Sequence, residues 1–341
     1  MNRRQFIHQT AALAAAGGVS GSGPSAKASN AQGKIMTVLG PLDPQRVGLM
    51  LPHEHVMSTF GSDAAITPNY DREKLFAAVV PYFCSLKETG CGALADCTTL
   101  YFGRDVTVLK AVSEKTGIHI LTNTGYYGAA NDRYVPAHAY EETAEQLAAR
   151  WASEWQNGID GTGIRPGFIK TGVDAEPLSD IDAKLVRAAA KTHRKTGLLI
   201  AVHTGNNPAS AQQQLGILRE EGVHPSAWVW VHANSVQDFE ALRRAAEAGA
   251  WIEFDGLGSD NVERHLDCVK RMKKIGLLNR VMLSHDGNMF RPDGRAPRTC
   301  DALFNLLIPA MEKAGISRRE IRRMTVENPA KAFTVKVRTQ S

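Results

Sequence analysis

Two histidines flank one glutamate in the segment LPHEHV, residues 51–56. Side chains two residues apart on a β-strand point to the same face, so His53 and His55 would project together while Glu54 points to the opposite face. Such a pair can bind one metal ion, but hydrogen bonds in a polar corner can satisfy two imidazoles equally well. The pair therefore indicates a metal site only if further ligands lie nearby.

Further candidates stand at the ends of apolar segments that recur along the chain. The segments lie at 47–51, 92–97, 118–123, 165–170, 198–203, 228–232, 250–255 and 281–286. Polar residues at their carboxyl-terminal ends include Asp96, Lys170, His203, His232, Asp255 and Asp286. The intervening segments, such as 71–90, 140–158 and 235–250, have the acidic starts and glycine ends that are typical of helices.

Eight strands that alternate with helices over this length predict a single-domain α/β fold, the (β/α)₈ TIM barrel, for residues 29–341. A doubly wound open sheet is the alternative. In a barrel the carboxyl-terminal strand ends meet at one mouth, where active sites of this fold are built. Four histidines and an aspartate there would suit a divalent ion such as zinc, with one position left for water.

Lys170 does not fit a metal centre as an ordinary ammonium group, because metal cations would repel it and burial would penalise its charge. One interpretation is a carbamate formed from the lysine amine and carbon dioxide, an anion with two oxygens that could bridge two metals. Another is a Schiff-base lysine, since buried lysines with a lowered pKa serve as nucleophiles. The residues alone leave both interpretations open.

Several separated motifs resemble the phosphotriesterase family of the amidohydrolase superfamily. They occur in the family's order at 53–55, 96–105, 161–170, 202–205, 231–234, 284–287 and 327–330, within a match of about residues 35 to 335. The resemblance implies a binuclear centre of two divalent ions, commonly zinc. It places His53, His55 and Asp286 on the more buried ion and His203 and His232 on the more exposed one, with Lys170, as N6-carboxylysine, and a hydroxide as bridges.

The resemblance also implies catalytic and substrate-binding roles. Asp286 would accept the proton of the attacking water and pass it to the leaving group. Tyr127 stands where family members carry an aromatic residue that lines the substrate cavity, and Asn131 and Arg133 lie in the same loop. Relatives are often dimers, so a homodimer is expected. Asp96 is interpreted as a hydrogen-bonding support of the mouth, and Arg104 and Asp105 as a structural ion pair within a loop.

The family contains lactonases, phosphotriesterases and other hydrolases, so the metal ligands alone cannot name a substrate. The segment after the eighth strand, residues 288–299, is short for an apolar lid and carries Arg291, Arg295 and Arg298. The short segment argues against an apolar lid, and its arginines would suit a substrate with a carboxylate or phosphate, with a solvated basic loop as the alternative. The first expectation is a small-molecule lactone or related ester, with an organophosphate triester second. A Schiff-base lyase that uses Lys170 and a non-catalytic binding protein are alternatives from other functional classes.

Residues 1–28 differ from the rest of the chain. They contain Arg3-Arg4, a short Ala-rich segment and a small-residue pattern at 26–28, which together predict a removable twin-arginine export signal. The predicted location is therefore the periplasm, with the twin-arginine export machinery as a partner. A disordered basic tail is the alternative. The Ala-rich segment is too short to span a bilayer, and no other segment is a candidate.

Composition excludes several other classes. The chain has 341 residues, 43% hydrophobic and 22% charged, which is typical of a globular protein with a large core. Its net charge of +5 falls to +2 without residues 1–28, which contain Arg3, Arg4, Lys27 and no acidic residue. No basic segment interleaved with aromatic residues predicts nucleic-acid binding. The five cysteines lack paired spacing, which favours buried thiols over a zinc ribbon or disulfide framework.

Overall fold

A computed structural model describes residues 31–174 and 177–340, and the predicted export signal lies outside these described residues. The chain first forms an antiparallel hairpin of β1 (Ile35–Thr37) and β2 (Gly40–Leu42). The strands that follow are β3 (Leu49–Met57), β4 (Cys91–Asp96), β5 (His119–Leu121), β6 (Asn123–Thr124), β7 (Phe168–Gly172), β8 (Leu199–His203), β9 (Trp228–Val231), β10 (Trp251–Phe254), β11 (Val281–Leu283) and β12 (Gly287–Phe290).

These strands form a closed ring. One parallel sheet has the order β12-β3-β4-β5, and a second has the order β6 to β11 with sequential neighbours. Strands β5 and β6 are separated by one residue, and β11 and β12 by three residues, so they are two parts of the third and eighth barrel strands. The (β/α)₈ barrel is therefore confirmed, and the open-sheet alternative is wrong.

Helices cover the outside of the barrel. They are α1 (Arg72–Glu88), α2 (Val106–Thr116), α3 (Ala137–Glu141), α4 (Ala144–Asn157), α5 (Asp180–Thr196), α6 (Pro208–Glu220), α7 (Phe239–Glu247), α8 (Val262–Lys274), α9 (Ile308–Lys313), α10 (Arg318–Arg322) and α11 (Asn328–Phe333). Asp71 caps the start of α1 by accepting from the Lys74 amide, and Gly117 ends α2 in a left-handed conformation. These are the start and stop signals that the sequence predicted.

Apolar packing divides into two layers. One buried cluster takes a side chain from each barrel strand, namely Met50, Ala93, Leu121, Phe168, Leu199, Val229, Trp251 and Met282, together with hairpin residues Ile35 and Leu42. A larger cluster packs the outer strand faces against the helices. The interior cluster fills the barrel below the carboxyl-terminal strand ends. The polar residues at those ends are therefore supported by a closely packed apolar layer.

The predicted pairing of Arg104 with Asp105 is wrong, although both residues are structural. Arg104 is buried and donates to both carboxylate oxygens of Glu154 on α4, at 2.7 and 3.0 Å, and to the Asn123 carbonyl at 2.8 Å. Asp105 instead caps α2 through the Val108 amide, and it accepts from Arg72. The carboxylate folds back onto its own helix, away from the buried guanidinium.

The five cysteines are all free thiols, which agrees with the absence of a disulfide framework. Cys91, Cys97 and Cys300 are buried as expected, but Cys84 is exposed on α1 and Cys268 is half-buried. Within residues 31–174 and 177–340, none of the helices has both the length and the apolar character needed to cross a membrane.

Candidate metal centre

The six predicted ligands line one cavity of about 170 Å³ at the carboxyl-terminal mouth of the barrel. Strand β3 supplies His53 and His55, and later strands or the residues that adjoin them supply Lys170, His203, His232 and Asp286. The imidazole centroids of His203 and His232 lie 4.3 Å apart, and those of His53 and His232 lie 5.0 Å apart. Side chains distant in sequence therefore meet at one point.

Glu54 fixes the break in the eighth strand, on the side of β3 away from the cavity. One of its carboxylate oxygens accepts from the Ser284 hydroxyl, the His285 amide and the His285 ring, at 2.8 to 3.1 Å. The other accepts from the Gly287 amide at 2.7 Å. Ser284, His285 and Gly287 are thereby held by one carboxylate, and Asp286, which lies between His285 and Gly287, lines the cavity.

Hydrogen bonds determine how His55 presents its ring. The Thr98 hydroxyl donates to the Met57 carbonyl at 2.9 Å, so it can only accept from Nδ1 of His55, which lies 2.8 Å away. Nε2 of His55 is therefore left with a lone pair in the neutral ring. That atom faces the cavity, as a metal ligand must.

His53 is held in the same way from the barrel interior. Its Nδ1 lies 2.9 Å from Oε1 of Glu253 and 3.4 Å from Oδ2 of Asp255. Burial and the nearby Lys170 lower the pKa of His53 to about 3, so its imidazole is neutral near pH 7. Burial and the adjacent Asp255 raise the pKa of Glu253 well above its usual range. A neutral His53 thus donates through Nδ1 and presents Nε2.

Asp255 orients His232, which stands in a left-handed backbone conformation with φ of 62°. One carboxylate oxygen accepts from the His232 amide at 2.9 Å, and the other accepts from Nδ1 of the same residue. Burial alone would raise the pKa of Asp255, but His232 and His53 reverse that effect and hold it well below its usual range. Burial and neighbouring His232 lower the pKa of His203.

Asp286 also has a left-handed backbone, with φ of 52°, and its amide donates to the His53 carbonyl at 3.1 Å. Non-glycine residues in this conformation are uncommon and cluster at functional sites. Oδ1 of Asp286 lies 3.2 Å from Nε2 of His55 and 3.4 Å from Nε2 of His53.

This arrangement fits a bound cation. Two imidazole lone pairs and a carboxylate oxygen point at one another at hydrogen-bonding distance, and such a group needs a proton or a metal ion between its members. Donor atoms of His53, His55 and Asp286 all lie within 4.8 Å of one another. His53, His232 and Asp255 are a second group within that distance, but there Asp255 accepts from Nδ1 of His232 and so orients that ring.

Lys170 lies beside these ligands as the third of the five residues of β7. It is 1% exposed, and no group in the described residues forms a hydrogen bond with its Nζ atom. Buried polar atoms without a hydrogen-bond partner are rare, and a chemical conversion of the side chain would account for this one. The position fits both a carbamate that bridges two metal ions and the amine of a Schiff base.

The predicted substrate-contacting residues separate into two groups. Tyr127 lines the cavity and packs against Phe102 and His203, with ring centroids 5.2 and 5.4 Å away. Asn131 and Arg133 are exposed residues outside the cavity wall. They lie apart from the candidate ligands, and their contact with a substrate stays a prediction.

Asn131 and Arg133 instead fix their loop. The Asn131 amide donates to Asp174 at 2.8 Å, and the Arg133 guanidinium donates to the Gly61 carbonyl at 3.0 Å. The backbone of residues 130–132 is left-handed at three successive positions. Asp96 has the supporting role that was predicted, because it accepts from the Val56 and Thr98 amides.

Other wall residues were missed from the sequence. They are Phe60 and Phe102, which make an apolar side of the cavity. Arg291 and Arg298, which the sequence analysis singled out as basic residues after the eighth strand, line it as well. Glu253 was also missed, although its position two residues before Asp255 on one strand places both on the same face. That spacing could have identified Glu253 from the sequence. Phe60 and Phe102 lie in loops, where no sequence pattern indicated that they would line the cavity.

Comparisons with known proteins agree with this geometry. The chain is 27% identical to the N-acetyltaurine hydrolase of Tetraodon nigroviridis over 90% of its length and all of the relative. It is similar to the organophosphorus hydrolase of Deinococcus radiodurans, with a TM-score of 0.80, 26% identity, and coverage of 92% of this chain and 99% of that one. It is also similar to a mutant of a phosphotriesterase-like lactonase from the same organism, with a TM-score of 0.78 and 27% identity. That match covers 88% of this chain and 99% of the lactonase.

The match to the family extends over most of the barrel. Residues 33–333 match the profile of the phosphotriesterase family. This span begins just before β1 and ends at the last residue of α11, so it contains every predicted metal ligand. The chain therefore belongs to the phosphotriesterase family and is a hydrolase of that family.

Proposed function

We propose that this chain is a metal-dependent hydrolase that opens a small lactone or a related carboxylic ester. The single observation that carries the proposal is the convergence of His53, His55 and Asp286, whose donor atoms need a cation between them. His203 and His232 would hold a second divalent ion, with N6-carboxylated Lys170 as the bridge. Zinc is the expected metal, because neutral imidazoles and carboxylates are its usual ligands.

The chemistry divides between the ions and the side chains. Two bound divalent ions would lower the pKa of a water molecule and polarise the substrate carbonyl. Asp286 would accept the proton of that water at its carboxylate and return it to the leaving oxygen. Tyr127, whose pKa is raised well above the usual range by burial, stays protonated and can donate to a substrate oxygen.

The cavity favours a compact substrate. Its volume of about 170 Å³ is smaller than the roughly 300–1,000 Å³ of typical small-molecule sites. No described protein group forms a hydrogen bond with the Tyr127 hydroxyl, so it is available to a ring oxygen or leaving group. The lactonase among the similar structures supports this choice, and the N-acetyltaurine hydrolases extend it to an amide carbonyl. The organophosphorus hydrolase makes a phosphotriester the second candidate.

Lactones are expected to give a higher kcat/KM than phosphotriesters with the purified, metal-loaded protein. The reason is the small cavity, together with the absence of a long apolar segment after β12 that could enclose bulky aryl and alkyl groups. A pH-indicator assay against lactones, carboxylic esters, amides and phosphotriesters measures this preference. A kcat/KM for paraoxon above that for every lactone and ester would reverse the ranking.

We also propose that the protein is exported to the periplasm in a folded state by the twin-arginine machinery. The support is the Arg3-Arg4 pair ahead of a weakly apolar segment. Replacing both arginines with lysine is expected to leave the full-length protein in the cytoplasm, as measured by cell fractionation. Unchanged recovery of shortened protein in the periplasm would show that another route exports it. The homodimer likewise stays a prediction.

A further inference from the structure

The three arginines that follow β12 have different surroundings. Arg295 is exposed, and its guanidinium donates to Asp293 at 2.6 Å and to the Phe60 carbonyl at 2.6 Å. Arg298 lies 3.2 Å from Oδ2 of Asp286, so its charge is matched by a candidate metal ligand. A single explanation, such as a solvated basic loop, therefore does not apply to all three.

Arg291 differs from both because it has no carboxylate partner in the described residues. It is half-buried and lines the same cavity as the candidate metal ligands. Its Nε atom is buried without a hydrogen-bond partner. The nearest acid in its own turn, Asp293, is engaged by both the amide and the guanidinium of Arg295. The cavity wall thus carries a positive charge that the described part of the protein leaves unmatched.

The backbone holds Arg291 in place. The Arg291 carbonyl accepts from the Gly294 amide at 3.0 Å, which closes a turn with a proline at its second position. Two backbone hydrogen bonds between Asn288 and Arg298, at 2.8 and 2.9 Å, tie the far end of the segment to β12. The guanidinium is therefore presented from a fixed turn, which lowers the entropic cost of binding a ligand.

The electrostatic setting of Arg291 also favours an anion. Burial and the charges of Arg295 and Arg298 lower the pKa of Arg291, and Asp293 offsets this only in part, so the guanidinium, which stays charged, lacks a full counter-charge. An anionic ligand group would offset both the desolvation of the Arg291 guanidinium and its repulsion by the neighbouring arginines. Arginine donates two parallel hydrogen bonds to carboxylate and similar groups, and these charge-assisted bonds are about twice as strong as neutral ones.

We infer that Arg291 binds an anionic group of the substrate, a carboxylate or sulfonate that is itself not cleaved, while the scissile carbonyl lies at the metal ligands. The inference rests on the proposed hydrolase function and narrows it. Because the anionic group and the scissile carbonyl of the substrate must both fit a cavity of about 170 Å³, only a few atoms separate them. The substrate class is therefore a compact acidic lactone, ester or amide.

Matched substrates that differ in charge test this assignment. One pair is 5-oxotetrahydrofuran-2-carboxylate and its carboxamide, and the other is N-acetyltaurine and its sulfonamide. For at least one pair, wild-type protein is expected to favour the anion by about 10-fold or more in kcat/KM, as for a hydrogen-bonded charged group. Arg291→Met should remove most of this preference, and Arg291→Lys should keep part of it. Arg295→Met, made together with Asp293→Asn so that the carboxylate that Arg295 leaves cannot pair with Arg291, is the matched control in the same segment and should preserve the preference.

Binding provides a readout that does not depend on turnover. Calorimetric titration with propane-1-sulfonate, a weak metal ligand, should give a Kd that Arg291→Met raises by about 10-fold and the Arg295→Met control leaves unchanged. Thermal unfolding of each variant establishes that it is folded.

The outcomes separate this inference from the hydrolase proposal. If neutral and anionic substrates are hydrolysed equally, and the sulfonate binds wild type and Arg291→Met equally, the anion site is wrong and the hydrolase stands. Equal losses of anion preference and sulfonate affinity in Arg291→Met and in the Arg295→Met control would also overturn the inference. The preference would then depend on the overall charge of the segment and not on Arg291 itself. Sulfonate binding that depends on Arg291, without hydrolysis of any substrate, would support the anion site and contradict the proposed function.

Discussion

Replacing Lys170 with alanine is expected to remove most of the bound metal and most of the activity together, while the barrel stays folded. The Nζ atom of Lys170 is buried beside the histidine ligands and has no hydrogen-bond partner in the described residues. Its removal therefore leaves no protein group unsatisfied. A carbamate on this amine would add a negative bridging ligand between two divalent ions, so its loss should lower kcat/KM by more than about 100-fold.

The comparison is made by metal analysis and turnover on the same preparations of wild type and Lys170→Ala. About two divalent ions per wild-type chain are expected. Lys170→Glu should retain part of the metal and activity, because its carboxylate approaches the bridging position with a shorter reach. A small carboxylic acid added to Lys170→Ala should restore part of the activity by occupying the space that the lysine leaves.

Two results would contradict the bridging role of Lys170. Retention of two metal ions and wild-type turnover by Lys170→Ala would reduce the lysine to a structural residue. Wild-type protein without metal, combined with borohydride trapping of substrate on Lys170, would instead support the Schiff-base interpretation. Metal bound without turnover on any substrate of the panel would favour a binding protein. Unfolding of Lys170→Ala monitored by circular dichroism separates loss of metal from loss of fold.

The sequence predicted the barrel and its mouth because both follow from short-range patterns. Apolar segments with polar ends define strands, and closure of a parallel ring brings those ends together. His203 and His232 could thus be placed beside His53 although some 150 residues or more separate them in the chain. No knowledge of loop conformation was needed, because strand ends have nearly fixed positions in this fold.

Loop residues were less predictable because their directions depend on partners far away in the chain. Arg104 pairs with Glu154 on a helix fifty residues later, and nothing in the sequence connects the two. Asn131 lies in a run of three left-handed residues, a loop conformation that the sequence did not predict. Arg291 and Arg295 have the same chemistry in the sequence, and only the folded segment shows that Asp293 matches one of them.

Glu253 is the supporting residue with the largest expected effect on metal affinity. Its Oε1 accepts from Nδ1 of His53 at 2.9 Å, and this bond fixes the ring so that Nε2 faces the cavity. Glu253→Leu removes the acceptor and is expected to weaken metal binding by about 10- to 100-fold, as for other residues that orient a metal-bound histidine. Asp255, 3.4 Å from the same Nδ1 atom, can compensate in part.

Glu253→Gln is the matched control, because it keeps an acceptor oxygen at nearly the same position without a titratable group. It should bind metal within a few-fold of wild type, since the bond from His53 requires an acceptor and not a negative charge. Competition with a chromogenic chelator measures the affinities, and unfolding of the metal-free variants tests the fold. Equal losses in Glu253→Gln and Glu253→Leu would show that the carboxylate charge matters. Unchanged affinity in Glu253→Leu would assign the orientation of His53 to Asp255.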